Sequence, residues 1–190
     1  NYKDRKANID AFLDDYALLA RAFILLYQAT FDVHWLEQAR SVTDYAIAHF
    51  QDKKSGLFVY TSDVSEKLKD RKMELPDNVI PSSNSVMAEV LYLLGEYYGD
   101  DSYVQMSTSM LNQVTKDIIM SEPYYANWAS VMGMITHQSY EIAIMGKDAV
   151  EKGKEMLKHY HPTAIFMGGE KENLPLLENK YIEGRTIIYV

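Results

Sequence analysis

The stretch LDDYALLARAFILLYQATFDVHWLEQARSVTD, Leu13 to Asp44, decides the fold, because a similar pattern returns after about 68 residues. The second copy is PSSNSVMAEVLYLLGEYYGDDSYVQMSTSMLN, Pro81 to Asn112. In each copy an apolar segment of helical period is followed by a turn with an aspartate (Asp32 and Asp100), an aromatic residue and a second, more polar segment. Repetition of this kind predicts stacked helical hairpins.

The two kinds of segment differ in how far their apolar residues extend around the predicted helix. The first and third helices, about Asp10 to Phe31 and about Asn84 to Tyr98, are apolar on nearly every side, which is typical of buried helices. The second and fourth, 32–50 and 102–120, carry narrower apolar stripes. We therefore expect inner helices that alternate with outer ones, and a fifth helix from Pro123 to about Thr136 that starts a third unit.

The segment between the two hairpins breaks the helical pattern. Leu57 to Tyr60 and Leu68 to Leu75 predict either an inserted β-hairpin or a long ordered loop. Ser82 or Ser83 is the candidate N-cap of the third helix. The basic side chains around Lys67 and Lys69 alternate along the second of these predicted strands, which is typical of a solvated sheet edge.

After His137 the pattern changes to that of a small β-α-β element. Strands are predicted at Tyr140 to Met145 and Thr163 to Met167, a helix at Ala149 to Tyr160, and a further strand at Thr186 to Val190. The turn after the first strand lacks the spaced glycines of a dinucleotide-binding loop and the Gly-Lys-Ser/Thr of a phosphate-binding loop. We therefore expect no cofactor here.

Composition narrows the possible functions. The 190 residues carry a net charge of -8, which argues against an extended nucleic-acid surface. There are no cysteines, and no apolar run approaches a membrane span. The five histidines are scattered, so no metal site is predicted. We expect a cytoplasmic protein. Because the chain starts without Met and ends on a strand-like TIIYV, we also expect it to be a fragment of a longer one.

Alternating inner and outer helices predict part of an α/α toroid, in which the N-termini of the inner helices collect at one pole. The repeat places three segments there: 14–16, 82–84 and 124–128. The long inserted segment covers the same pole. Carboxylates, amides, hydroxyls and aromatic rings together are typical of a sugar site, and paired carboxylates can serve acid/base or glycosidase chemistry.

The candidate site is therefore at this pole. Asp15 and Asp77 are the candidate catalytic carboxylates, and the expected ligand is a sugar or a sugar-like molecule. The candidate substrate-binding residues are Tyr16, Phe58, Tyr60, Ser82, Asn84 and Trp128. Each has a structural alternative: acidic residues favour the first turn of a helix, Ser82 and Asn84 can cap one, and aromatic residues at helical spacing are commonly core.

Two motifs carry a resemblance to a known family. LDDYA (Leu13 to Ala17) and DNVIPSSNS (Asp77 to Ser85), with the Thr-Phe-Asp turn at 30–32, resemble the YyaL-like, spermatogenesis-associated family of thioredoxin-domain-containing proteins. That family's patterns are L-E-D-Y-A and D-(N/G)-A-x-P-S-x-N-S. This chain departs from them mildly at Asp14 and Val79. The motif positions matched are Asp15, Asp77, Pro81, Ser82, Asn84 and Ser85.

The resemblance implies a thioredoxin-like domain followed by a six-hairpin toroid similar to N-acylglucosamine 2-epimerases and six-hairpin glycosidases. It therefore implies a mainly α fold: a partial α/α toroid at 1–137 with an inserted β-hairpin, and a small, truncated C-terminal α/β element at 138–190. It also implies a thioredoxin-like domain and first hairpins outside this chain. A carbohydrate-binding or carbohydrate-processing toroid is the expected function. The alternative is a non-catalytic scaffold that presents clients to that domain. An incomplete toroid exposes apolar helix surface, so we expect self-association.

Overall fold

The chain is mainly helical, with a small sheet near its C-terminal end. The structure is a computed structural model that describes residues 2–3, 5–7, 10–64, 71–137 and 139–190. The helices are α1 (Leu13–Thr30), α2 (His34–Phe50), α3 (Ser83–Tyr98), α4 (Asp101–Met120), α5 (Ala126–Thr136) and α6 (Ala149–Met156). The strands are β1 (Tyr2–Lys3), β2 (Lys6–Ala7), β3 (Tyr140–Met145), β4 (Ala164–Gly169) and β5 (Ile187–Tyr189).

Helices α1 to α5 form two layers. One row consists of α1, α3 and α5, with α3 packed between the other two. The second layer holds α2, which packs on α1 and α3, and α4, which packs on α3 and α5. The turns between paired helices are alike: Asp32 accepts the N–H of His34, and Asp100 accepts the N–H of Ser102. The predicted stacked hairpins and their aspartate turns are present.

The two helices that the sequence predicts to be buried all round differ in the structure. In α3, 14 of the residues are buried, and they lie on all sides. In α1 only five are buried, on one face: Leu13, Ala17, Ala20, Ile24 and Tyr27. The prediction of a fully buried first helix is therefore wrong, because within the described residues α1 has a neighbour of its own row, α3, on one side only.

The segment that joins α2 to α3 is a long ordered loop in its described part. Gln51 and Phe58 form an isolated antiparallel bridge, and the N–H of Tyr60 donates to the carbonyl of Lys72 at 2.7 Å. No residue of 57–60 or 71–75 belongs to a strand, so the ordered loop, rather than the inserted β-hairpin, describes these residues. Lys67, Lys69 and the first three residues of the predicted strand at 68–75 lie outside the described residues.

The C-terminal element is the predicted β-α-β unit with one more strand. Strand β3 is central, parallel to β4 and antiparallel to β5. Helix α6 ends at Met156, four residues before the predicted end, and Tyr160, which the sequence places on its apolar side, is 89% exposed. Sheet residues Met145 and Met167 share one apolar core with α1 and α3.

Phe31 closes the junction between the helices and this sheet. Its backbone is in the left-handed region (φ 54°), and it packs with Ile144, Phe166 and Ala149 in a second apolar cluster. A Cβ added to Gly153 in α6 would lie 2.8 Å from the ring of Phe31. The glycine is therefore the residue that lets α6 approach the ring.

Helix α5 starts later than Pro123. A short 3-10 turn covers Glu122–Tyr124, with the proline in its first turn. Tyr125 then leaves helical geometry (φ -138°, ψ 27°), and α5 begins at Ala126. This break brings the N-terminus of α5 beside Asp77 of the long loop.

Candidate functional site

Asn84, a predicted substrate-binding residue, joins the long loop to the N-terminus of α3. Its side chain is fully buried. Oδ1 accepts the N–H of Phe58 at 2.8 Å, and Nδ2 donates to the carbonyls of Phe58 at 2.8 Å and Glu74 at 3.1 Å. The amide thus holds both ends of the loop, and its hydrogen-bonding capacity is largely used within the protein.

Asp77, a predicted catalytic carboxylate, connects two helix N-termini. Oδ1 accepts the N–H of Ser82 at 2.8 Å and the hydroxyl of Ser85 at 2.9 Å, while Oδ2 accepts the N–H of Asn127 at 2.8 Å. The side chain of Asn127 also donates to the hydroxyl of Ser85 at 3.1 Å. A buried carboxylate between the first turns of α3 and α5 also offsets the positive ends of both helices.

Three more predicted binding residues face the protein interior. Trp128 is fully buried, and its indole N–H donates to the carbonyl of Leu75 at 2.8 Å. Ser82 is the N-cap of α3, as the sequence predicts, and also donates to that carbonyl at 2.9 Å. Phe58 is fully buried in the core. Together with Asn84 and Asp77 they fix the loop to the helices.

Asp15 and Tyr16 lie at the start of α1. The Oδ2 of Asp15 accepts the N–H of Phe12 at 2.9 Å, so this exposed carboxylate caps the helix. Tyr16 is half-buried and stacks on Tyr45 of α2, with ring centroids 5.1 Å apart. Burial raises the pKa of Tyr16 above its ordinary value.

Tyr60 belongs to a partly exposed group of aromatic and acidic side chains. Its hydroxyl donates to Oδ2 of Asp14 at 3.1 Å, and its ring stacks on Phe12 at 4.9 Å. Burial, the hydrogen bond to Asp14 and the nearby carboxylates raise the pKa of Tyr60 to about 12. Burial, followed by the charge of Asp14, also raises the pKa of Glu74. Sequence patterns gave no reason to single out Glu74, since it lay within a predicted strand.

A second polar group lies between α1, α3 and α5, and the sequence reading missed it. Glu89 of α3 is buried, and its carboxylate lies 3.2 Å from Nε of Arg21 on α1. Burial raises the pKa of Glu89, although Arg21 and the side chain of Asn127 oppose this shift by favouring the charged form. Glu89 is the only charged residue in the stretch SNSVMAEVLYLL, and this isolation is the sequence feature that could have indicated the group.

The two groups lie on the same face of α1. Asp14, Leu18 and Arg21 follow at helical spacing, so Asp14 and Arg21 are about 10 Å apart along the helix axis. Leu18 is partly exposed between them. We refer to Asp14, Tyr60 and Glu74, together with Arg21 and Glu89, as the α1 strip. It has hydrogen-bonding groups at both ends.

Across residues 2–3, 5–7, 10–64, 71–137 and 139–190, no group of three or more metal-binding side chains comes together. In the same residues, no helix is both long enough and apolar enough to cross a bilayer.

Comparison with known proteins gives distant similarity to one kind of protein. No family model matches the chain. The chain is 23% identical to spermatogenesis-associated protein 20 of Mus musculus and 24% identical to that of Rattus norvegicus, in each case over 94% of this chain and 24% of the relative. The protein of the same name from Homo sapiens is 31% identical over 53% of this chain and 13% of the relative. The chain thus spans about a quarter of the length of the rodent relatives, and its similarity supports a distant relationship to spermatogenesis-associated protein 20.

Proposed function

We propose that the α1 strip binds a carbohydrate or a carbohydrate-like polyhydroxylated molecule, and that the helices around it form part of an α/α toroid. The observation that carries the proposal is the pairing of polar groups at the two ends of the strip: the hydroxyl of Tyr60 donates to Asp14 at 3.1 Å, and Arg21 lies 3.2 Å from the buried carboxylate of Glu89. Carboxyl groups of this kind can accept hydrogen bonds from hydroxyls and can act in general acid/base chemistry.

The flanking side chains fit the same ligand class. The stacked rings of Phe12 and Tyr60 offer an apolar face for the C–H groups of a sugar, and Phe12 is 42% exposed. Arg21 is partly exposed and can donate to a hydroxyl while it holds Glu89. In this proposal Asp77, Asn84 and Trp128 build the wall behind the strip, and Asp15 caps α1 beside it.

Ligand-observed NMR with the folded chain tests this proposal. Glucose, N-acetylglucosamine and maltose serve as probes, and we expect saturation transfer to at least one of them. Glu89→Gln and Tyr60→Phe should each weaken binding about tenfold, because each removes one partner of the strip. Glu37→Gln, an exposed change on α2, is the matched control and should leave binding unchanged.

Two results would overturn the carbohydrate proposal. One is the absence of saturation transfer from all three probes at millimolar concentration. The other is binding that survives Glu89→Gln and Tyr60→Phe unchanged, in variants whose circular dichroism matches the parent protein. In the second case the bound ligand contacts another surface.

The exposed apolar face of α1 favours a second function, that of a helical scaffold. Leu19, Leu25 and Leu26 are each at least 41% exposed, whereas the equivalent face of α3 is covered by α1. A contiguous apolar helix face of this size marks an interaction surface. We propose that in the isolated chain a second copy covers it, and that in a longer protein a further helix of the same repeat or a thioredoxin-like domain does so.

Light scattering at increasing concentration tests the scaffold proposal. We expect a mass above that of one chain, and we expect Leu19→Lys with Leu26→Lys to restore the monomer. Val79→Lys, at a loop position that is 96% exposed, is the matched control. A monomer at all concentrations, with no effect of the double change, would rule out self-association through this face.

A further inference from the structure

A cleft lies at the opposite end of the inner helices, away from the α1 strip. Its volume is about 790 Å³, and it is enclosed by the last turns of α3 and α5, the start of β3 and the end of β5. Its polar side chains include Tyr92 and Glu96 of α3, Glu141 of β3, and Lys180. None of these residues takes part in the function proposed above.

The electrostatic environment of this cleft favours a cation. Helices α3 and α5 end here, at Tyr98 and Thr136, so the negative ends of two helix dipoles lie at its wall. Glu96 and Glu141 both line the cleft, and the charge of Glu141 adds to burial in raising the pKa of Glu96. Among the residues that the structure describes, neither carboxylate has an ion-pair partner.

An ammonium group already lies in the cleft against an aromatic ring. Nζ of Lys180 lies 5.9 Å from the ring centroid of Tyr189, a contact of cation–π type. The hydroxyl of Tyr92 donates to the carbonyl of Met134 at 3.1 Å, which holds its ring in the wall. The cleft therefore combines two carboxylates with aromatic rings, one resident ammonium and the imidazole of His137.

We propose that this cleft binds an organic cation, namely a primary aliphatic amine whose ammonium group lies between Glu96 and Glu141. An ammonium ion can donate three hydrogen bonds, to the two carboxylates and to a carbonyl at the end of α5. The alkyl part would contact the rings of Tyr92 and Tyr189. An anion would face two carboxylates, and the described residues supply too few ligands for a bound metal.

Isothermal titration of the folded chain with 1,4-diaminobutane tests this proposal, and 1,4-butanediol is the uncharged control. We expect saturable binding of the diamine and none of the diol. Glu96→Gln should weaken diamine binding about tenfold, because it removes one charge-assisted hydrogen bond from a partly buried position. Glu141→Gln should weaken it less, since Glu141 is exposed.

Two further variants separate a specific site from general attraction to an acidic protein. Glu151→Gln on α6 changes the net charge by the same amount at an exposed position outside the cleft and should leave binding unchanged. Lys180→Gln removes the resident cation and should strengthen binding. The proposal fails if the diamine does not bind, if the diol binds equally well, or if Glu96→Gln and Glu151→Gln have the same effect. It also fails if Lys180→Gln weakens binding.

Discussion

Replacement of Asn84 by alanine should destabilise the protein strongly, because this amide is the main polar link between the long loop and α3. The change removes the acceptor of the Phe58 N–H and the donors to the carbonyls of Phe58 and Glu74. Both backbone groups of Phe58 then lie buried without a partner, since Phe58 is fully buried. The Glu74 carbonyl is nearer to solvent.

The expected loss follows from the burial of these groups. A buried donor or acceptor left without a partner costs about 1–3 kcal/mol, so the two groups of Phe58 contribute about 4 kcal/mol together. The bond to Glu74 adds about 0.5–1 kcal/mol, because water can replace it. We therefore expect the free energy of unfolding to fall by about 4–5 kcal/mol, a large part of the 5–15 kcal/mol that is usual for a domain.

Urea denaturation measures this change, with helix content followed by circular dichroism and the loop followed by tryptophan fluorescence. In a Trp35→Phe background, which removes the other tryptophan, Trp128 reports on the loop because its indole donates to Leu75. Ser83→Ala is the matched control at the neighbouring position. Ser83 is also buried, but its hydroxyl has no hydrogen-bond partner among the described residues, so its removal should cost little or should stabilise the protein.

A loss below about 1 kcal/mol for Asn84→Ala would refute the reasoning, because the amide would then contribute no more than one ordinary hydrogen bond. An Asn84→Ala protein of normal stability that no longer binds a sugar would restore the role that the sequence first suggested for this residue. Equal losses for the two variants would show that position, not hydrogen bonding, determines the effect.

Two further predictions concern charge and backbone packing. Burial raises the folded-state pKa of Glu89 above its ordinary value of 4.5, so its contribution to stability is present below pH 4.5 and is lost as the pH rises through the raised value. The difference in unfolding free energy between the parent protein and Glu89→Gln should therefore fall over that pH range. A difference that stays constant with pH would contradict this assignment. Gly168→Ala should destabilise the sheet by several kcal/mol in urea denaturation, because its Cβ would lie 2.1 Å from a carbonyl oxygen of β3. In Gly133→Ala on α5 the added Cβ meets no atom within 4 Å, so this control should stabilise the protein by about 0.5–1 kcal/mol. Equal effects of the two changes would contradict the packing argument.

The helices could be predicted from the sequence because their signals are local. Asp100 is the N-cap of α4 and accepts the N–H of Ser102, as its position in the repeat indicates. Asp32 accepts the corresponding N–H of His34 from one residue before Val33, the N-cap of α2. Ser82 caps α3 for the same reason. The β-α-β order also follows from local apolar runs and turn residues.

The burial of α1 could not be predicted, because it depends on a neighbour and not on composition. Leu25 and Leu91 are equally apolar, but Leu91 is fully buried and Leu25 is 55% exposed. Apolar residues on every side of a helix indicate only that other elements can pack against every side. Whether a covering element is present is a property of the whole assembly.

The sequence predicts which of the candidate residues lie near one another, but not what their polar atoms bind. The repeat brings Asp77, Asn84 and Trp128 to one region, but the sequence cannot show that their polar atoms bond to the loop backbone. Tyr60 was singled out, whereas its partner Glu74 was not. The pairing of Arg21 with Glu89 depends on how two helices pack, which no local pattern records.

The close contact between Phe31 and Gly153 has a consequence for how sequences of this fold can diverge. A glycine inside a helix costs about 1 kcal/mol relative to alanine, so selection for stability alone would replace Gly153. The ring of Phe31 prevents this, since a Cβ there would lie 2.8 Å from it. Positions 31 and 153 should therefore covary among homologues: an aromatic ring at 31 should accompany glycine at 153, and smaller residues at 31 should accompany alanine.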